Sequence, residues 1–385
     1  MAKKQICIIT GTRAEYSYLK IVIEKIIDSK KLDLSLIVTG MHLLKEYGHT
    51  IDLIKKDNIP IKKIIPMYDE NDSSNSALGK AVGRSIINFT EVLSELKPDI
   101  LLILGDRYEP LVAAITASTL KILIAHIHGG DVSGTIDESL RHAITKLSHI
   151  HFPASPKSAK RIELMGEEKW RINMVGSTTI DNILHEKLLS KQEICKEFEL
   201  NESERIALCI QHPNIYESEK AGTQMNITLQ VLRDLKLQVI IIYPNNDIGS
   251  ELIIKEINKY EGFPRFKIYK NIQRRIYLSL IKNVDFLIGN SSSGLIESPI
   301  FKLPVINIGD RNKGRETAEN VIDVIHDYDE IKNAIKKALS KEFRDLCKAV
   351  KNPYGDGKAS ERIVRILEDL KIEKKILIKK LTYKV

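Results

Sequence analysis

Carboxylate, imidazole and guanidinium groups crowd into one stretch of the 385-residue chain, between Ile100 and Lys146. It runs Ile100-Leu-Leu-Ile-Leu-Gly-Asp-Arg107, then a helix-like run, then Ile122-Leu-Ile-Ala-His-Ile-His-Gly-Gly-Asp131 and Ile136-Asp-Glu-Ser-Leu-Arg-His142. Asp106, Asp137 and Glu138 can move protons at a reacting carbon or oxygen, with His126, His128, Asp131 and His142 close by. Strand alternation places His126 and His128 on one side of their strand end. Glu138 is spaced i,i+3 from Arg141 and i,i+4 from His142, so all three share a helix face. Three histidines among carboxylates also raise a metal site. Acid–base work is preferred and no metal is expected, because no H-x-x-x-H or H-E-x-x-H is present and Arg141 would set a positive charge beside a cation.

Further segments suit a phosphorylated ligand. In Thr10-Gly-Thr-Arg-Ala-Glu-Tyr-Ser17, small residues, a helix start and Arg13 can approach an anion, although this is neither a Walker loop nor G-x-G-x-x-G. Gly105-Asp-Arg-Tyr-Glu109 supplies Arg107, and its Asp106/Glu109 spacing equally fits a helix capping box. The second half offers Gln211-His-Pro213, Tyr243-Pro-Asn-Asn-Asp247 and Ile288-Gly-Asn-Ser-Ser-Ser-Gly-Leu-Ile-Glu297. Hydroxyls and free N–H groups around Asn290, Ser291 and Ser292 suit a diphosphate, where a plain helix cap would need one serine. Glu297 falls one turn into that helix, placed to accept both ribose hydroxyls. Arg311 and Arg315 close the same edge.

These residues need strands to hold them. Apolar runs too short for a helix face and rich in Ile and Leu read as buried parallel strands. Candidates in the first half are Gln5–Thr10, Leu34–Thr39, Ile64–Pro66, Ile100–Leu104, Ile122–Ile127, Ile150–Phe152 and Ile172–Val175. The second half repeats the pattern with Arg205–Gln211, Val239–Tyr243, Phe266–Tyr269, Phe286–Gly289 and Val305–Ile308. Amphipathic runs such as Tyr18–Asp28 and Ala77–Leu96 lie between them. The alternation predicts an α/β fold of two Rossmann-like domains, 1–176 and 177–359, with Ser177–Ile180 as the link. A terminal helix, about 360–385, is expected to return to the first domain. Facing sheets of this kind make a cleft at their carboxyl edges, where nucleotides bind.

Composition narrows the classes. The 43% hydrophobic and 29% charged residues fit a soluble globular chain, and no run reaches the ~18 apolar residues of a membrane span. The basic start leads into a strand rather than a signal peptide. Cys7, Cys195, Cys209 and Cys347 lack metal-ligand spacing and read as reduced thiols of a cytoplasmic protein. The net charge of +8 is diffuse, and with 6% aromatic residues no nucleic-acid partner is expected.

Taken together, Gly11-Thr-Arg-Ala-Glu-Tyr16, Gly105-Asp-Arg107, His126-Ile-His-Gly-Gly130, Gly134-Thr-Ile-Asp-Glu-Ser-Leu-Arg-His-Ala-Ile-Thr145, Gln211-His-Pro213, Tyr243-Pro-Asn245, Gly289-Asn-Ser-Ser292 and Gly314-Arg-Glu316 resemble the UDP-N-acetylglucosamine 2-epimerases over nearly the whole chain. The Gly-Asp-Arg and Arg-His-Ala-Ile-Thr versions are similar to the hydrolysing branch, which releases N-acetylmannosamine for sialic-acid synthesis. The resemblance implies a GT-B-like fold, a nucleotide-sugar substrate between the domains, no redox cofactor and a homodimer or homotetramer. It implies loss of the carbon-2 proton as the nucleoside diphosphate leaves carbon 1, giving a 2-acetamidoglucal. Water then adds and carbon 2 is reprotonated from the other face.

By position, the resemblance gives Asp106, Asp137, Glu138 and His212 proton transfer, with His128 as an acid or pocket residue. Arg13, Ser291, Ser292 and Arg311 would hold the diphosphate, Glu297 the ribose and Tyr277 the base. Ser17, Arg107, Arg141, Asn245 and Asn290 complete the binding set. Two departures stand out: His128 replaces a glutamate common in the family, and Tyr18 lies where relatives place a lysine. Four rivals remain open. The same chemistry on a UDP- or GDP-linked 2,4-diacetamido-2,4,6-trideoxyhexose would feed legionaminic-type acids. A non-hydrolysing epimerase, a GT-B glycosyltransferase and a non-catalytic binding module are the others.

Overall fold

The computed structural model describes residues 3–69, 74, 76–132, 136–245 and 247–383, and they form two compact units. Gly134, Thr135 and Asn246 of the motifs above lie outside the described residues. The first unit contains Met1–Leu184 and Tyr354–Val385, the second His185–Pro353.

In the first unit the chain passes through β1 (Lys4–Thr10), α1 (Arg13–Asp28), β2 (Leu32–Thr39), α2 (Ile51–Lys56), β3 (Ile61–Ile65), α3 (Ala77–Leu96) and β4 (Ile100–Leu104). It continues through α4 (Tyr108–Thr119), β5 (Leu123–Ile127), α5 (Ile136–Leu147), β6 (Ile150–Phe152), α6 (Pro156–Leu164) and α7 (Thr178–His185). The second unit holds α8 (Lys191–Glu197), β7 (Ile206–Ile210), α9 (Ala221–Asp234), β8 (Gln238–Ile242), α10 (Ser250–Asn258), β9 (Phe266–Tyr269), α11 (Arg274–Asn283) and β10 (Phe286–Gly289). Then come α12 (Ser293–Ile296), β11 (Val305–Ile308), β12 (Val321–Val324), α13 (Tyr328–Leu339) and α14 (Lys341–Ala349), before α15 (Ala359–Asp369) returns to the first unit.

Every strand pair is parallel, in the orders β3-β2-β1-β4-β5-β6 and β12-β11-β10-β7-β8-β9. Numbered within each unit, both follow the Rossmann order 3-2-1-4-5-6, whose direction reverses between the first and fourth strands. All five residues of β4, of β5 and of β7 are buried, which suits strands covered on both faces. Alternation divides the first core: Ile6 and Ile8 pack with α1 and α15, whereas Cys7 and Ile9 pack with α3 and α4. Each fully buried isoleucine contributes about 1.5–3 kcal/mol. Burial also pushes the Cys7 and Cys209 thiols up to about 12, which leaves them inert.

Four sequence expectations change. The terminal helix ends at Asp369, and the described residues after it hold one short turn at Lys374–Leu377 rather than a helix. Ile172–Val175 is not a strand; Ile172 makes one isolated bridge to His151, because β6 has three residues before Pro153 ends it. The expected link at Ser177–Ile180 runs into helix α7 of the first unit. Strand β12, partly exposed along its length, extends the second sheet to six strands. Among the described residues, no helix is long and apolar enough to cross a membrane.

Gly289 joins β10 to Asn290 with φ +132, and a Cβ there would lie 1.9 Å from the Ile210 carbonyl oxygen. Gly289→Ala is therefore expected to lower stability by at least about 3 kcal/mol in urea titrations, combining backbone strain with a main-chain clash.

Candidate active site

Residues singled out by their chemistry gather at the carboxyl edges of both sheets, beside each reversal of strand order. In the first unit, Asp106 sits in the turn between β4 and α4, and an ion pair joins its carboxylate to Arg141 of α5. The Arg141 side chain is 8% exposed, and its Nη1 donates to the Asp131 carbonyl at 2.7 Å. One guanidinium thus fixes the edge of β4 against the turn after β5. A second tie comes from His126, whose Nε2–H donates to the Gly105 carbonyl at 2.8 Å. His126 is fully buried, and burial pushes its pKa down to about 3, so it stays neutral. The Asp131 carboxylate accepts from the Ser158 hydroxyl.

His128 departs from the expected alternation. Its φ is +62, and its ring lies 6.3 Å from that of Tyr18 on α1. Its Nε2 accepts from the Thr178 N–H at 3.4 Å. Tyr18 borders the core on the α1 side of the sheet, whereas His126 reaches Thr145 on α5. The left-handed backbone breaks the pleat after Ile127 and sends the two imidazoles apart. Burial lowers the pKa of His128, with Asp131 opposing the shift.

Asp137 and Glu138 stand half-buried in the first turn of α5, with His142 one turn on at 3.8 Å from Glu138. At the start of α1, Arg13 is exposed, while the Ser17 hydroxyl donates to the Ala14 carbonyl at 2.6 Å. The expected anion cradle here is partly occupied from within. The Gly11 N–H donates to Glu15 Oε2 at 2.6 Å, and the Glu15 N–H to Thr12 Oγ1 at 3.2 Å. Arg107 contacts the buried Glu109 at 3.3 Å, and its Nη2 reaches Met41 Sδ at 3.2 Å.

In the second unit, Asn290 behaves as a clamp. Its Oδ1 accepts from the His212 N–H at 2.7 Å, and its Nδ2 donates to the His212 carbonyl at 2.9 Å. The Asn290 carbonyl in turn accepts from Arg311 at 3.3 Å and from Asn312 at 3.0 Å. The loops after β7 and β10 are locked together, which uses an amide expected to face a ligand. His212 Nδ1 lies 3.1 Å from the Asn245 backbone nitrogen and 3.2 Å from its side-chain oxygen, which fixes the ring against the loop after β8. Burial and the nearby Arg311 hold its pKa down at about 4. The Asn245 amide donates to Asp247 at 2.6 Å. Ser292 occupies the N-cap position of α12 without making a side-chain cap bond, and Ser291 pairs with Ser293 at 2.9 Å. Tyr277 meets the Ser293 hydroxyl, with its own hydroxyl pKa raised by burial.

Arg274, which no sequence motif flags, grips Glu297 with both terminal nitrogens, at 2.6 and 3.1 Å. Its guanidinium also lies 5.8 Å from the Tyr277 ring centroid. Burial raises the pKa of Glu297 and Arg274 counters it. Each carboxylate oxygen has two acceptor positions, so the fork leaves Glu297 able to take ligand hydroxyls.

A model of the UDP-N-acetylglucosamine 2-epimerase family matches residues 24–368. A UDP-N,N'-diacetylbacillosamine 2-epimerase (hydrolyzing) of Legionella pneumophila is 39% identical, covering 98% of both chains. A UDP-N-acetylglucosamine 2-epimerase of Neisseria meningitidis is 34% identical over 88% of both. The solved UDP-GlcNAc 2-epimerase of Methanocaldococcus jannaschii superposes with a TM-score of 0.76 at 23% identity, covering 94% of this chain and 99% of that one. This last likeness concerns the GT-B-like fold.

Arg274→Ala would leave the Glu297 carboxylate buried without its fork. A loss of about 1–3 kcal/mol is expected in urea titrations at neutral pH, tempered by the exposure of Arg274. Adding Glu297→Gln should restore most of it; a double variant that is simply additive would show that the pair is not coupled.

Proposed function

The chain belongs to the UDP-N-acetylglucosamine 2-epimerase family, and from that premise we propose that it is a hydrolysing 2-epimerase of UDP-N,N'-diacetylbacillosamine. Sugar nucleotide and water would give UDP and the free sugar inverted at carbon 2. The observation that carries the reaction type is the Asp106–Arg141–Asp131 constellation, which holds a carboxylate at the reversal point of the first sheet by a side chain from the helix that also carries Asp137 and Glu138. Support for the sugar comes from the Legionella relative, with its higher identity and near-complete coverage of both chains. N-acetylmannosamine from UDP-N-acetylglucosamine, the leading expectation from sequence, becomes the second reading, favoured by the Neisseria relative.

The chemistry divides among the residues as follows. Asp106, Asp137 and Glu138 serve proton transfer at carbon 2. The C2–H electron pair forms the C1–C2 double bond, and the diphosphate departs with the electron pair of the broken C1–O bond. Arg13, Ser291, Ser292 and Arg311 stabilise the charge that develops on the leaving diphosphate. Neutral His212 takes part in proton transfer. Glu297 receives the ribose hydroxyls, and Tyr277 stacks on the base. Water then adds to carbon 1, and a proton returns to carbon 2 from the opposite face.

The direct test incubates the protein with each sugar nucleotide in deuterated water and follows both by proton NMR. Faster release of free diacetamido sugar carrying deuterium at carbon 2 supports the proposal. Preference for UDP-N-acetylglucosamine selects the second reading, and deuterated sugar still attached to UDP overturns hydrolysis. Asp106→Asn is expected to lower kcat by about 10²–10⁴ while UDP affinity is retained.

A further inference from the structure

Glu15 and Glu109 present an electrostatic conflict that the proposed reaction does not use. Glu109 is 0% exposed and Glu15 5%. Both converge on Gly11. Its N–H donates to Glu15 Oε2 at 2.6 Å, while a Cβ on Gly11 would fall 2.7 Å from Glu109 Cγ and 3.0 Å from its Oε1. Gly40 encloses Glu109 from another side, because a Cβ there would lie 2.5 Å from the same Oε1. The carboxyl of Glu109 therefore fills the space that side chains at two glycine positions would take.

The groups facing the pair are few. From the start of α4, Arg107 Nε donates to Glu109 Oε2 at 3.3 Å. From the segment after β3, the Tyr68 hydroxyl donates to Glu109 Oε1 at 3.0 Å. From the turn between β1 and α1 come the Thr12 and Gly11 backbone contacts to Glu15. His42 lies beyond Thr10, at 3.0 Å from its hydroxyl, and burial lowers its pKa to about 4, so it brings no charge. Among the described residues, one guanidinium thus faces two buried carboxyls. Two carboxyls buried this deeply around one glycine do not both ionise.

We propose that Glu15 and Glu109 form a one-proton carboxyl–carboxylate pair that positions Arg107 beside Asp106. Glu15 keeps the proton, and the Glu109 carboxyl receives Arg107 and Tyr68. Arg107 directly follows Asp106 in the chain, so anchoring its guanidinium also anchors the turn that carries Asp106. The pair touches no reacting atom and acts through Arg107. Burial first, and then the charge of Glu109, raise Glu15 to about 8.

Two measurements test the pair. The first needs no substrate and is independent of the reaction proposed above; the second rests on that reaction. An unfolded glutamate releases its proton near 4.5, while folded Glu15 holds it to about 8. Unfolding therefore releases a proton within that window, and the Glu15 contribution to stability is lost as pH rises through it. Glu15→Gln mimics the protonated acid, accepting from Gly11 through its carbonyl and donating through its amide. The ratio of wild-type to Glu15→Gln unfolding constants, from urea titrations, should rise by up to about tenfold per pH unit between pH 5 and 8, then level off. A ratio that is flat with pH, or that falls, overturns the pair.

The second measurement is kcat/KM. Glu109→Gln should lose about 10–100-fold, and the Glu109→Gln/Arg107→Ala double variant should be no worse than Arg107→Ala alone. Multiplying losses would show that Glu109 does not act through Arg107. If Glu109→Gln does not fold, the pH series decides alone. If the wild type turns over neither sugar nucleotide, the proposed reaction fails and the pair again stands or falls on the pH series.

Discussion

The first unit's chemistry depends on one buried guanidinium. Arg141 leaves water almost completely, which is tolerable only if strong acceptors meet it. They are the Asp106 carboxylate and the Asp131 carbonyl. These two acceptors come from the ends of adjacent strands, and Arg141 itself comes from the helix that starts with Asp137 and Glu138. A single side chain therefore sets the relative placement of the acidic positions, and His126 reinforces it through the Gly105 carbonyl. Losing one partner would strand a charge in a dry site, so the constellation holds or fails as a whole.

The second unit solves the same topological problem with different chemistry. At its reversal point the cross-tie is the neutral side chain of Asn290, which fastens the His212 backbone from both ends of its amide. Charge appears only around that tie, in Arg311 and in the Arg274–Glu297 fork. A neutral clamp with both ends of its amide satisfied costs little to bury. The two sheets share a strand order, yet a buried charged side chain ties one carboxyl edge and a neutral amide ties the other.

Much of this was legible in the sequence. Fully buried parallel strands announce themselves as short, unbroken apolar runs, so β4, β5, β7 and β10 and the groups that end them could be read directly. Features set by long-range contacts were not legible. The Arg274–Glu297 fork joins residues 23 positions apart on different elements, and the Glu15–Glu109 pair meets only because α1 and α4 start at neighbouring strand ends. His128 misled for a local reason, since alternation does not survive a left-handed residue. The Asn290 clamp was equally hidden, because its side chain meets the His212 backbone 78 positions away.

Breaking of the carbon 2–hydrogen bond is the central claim, and isotopic labelling reads it most directly. UDP-N,N'-diacetylbacillosamine deuterated at carbon 2 would be turned over in ordinary water and the free sugar analysed by mass spectrometry. Loss of the deuterium from the released sugar, with slower turnover than the unlabelled substrate, is the expected result. Full retention of deuterium in a released sugar would mean that the nucleotide leaves by simple hydrolysis at carbon 1, and would contradict the assignment of Asp106 and its neighbours to proton transfer.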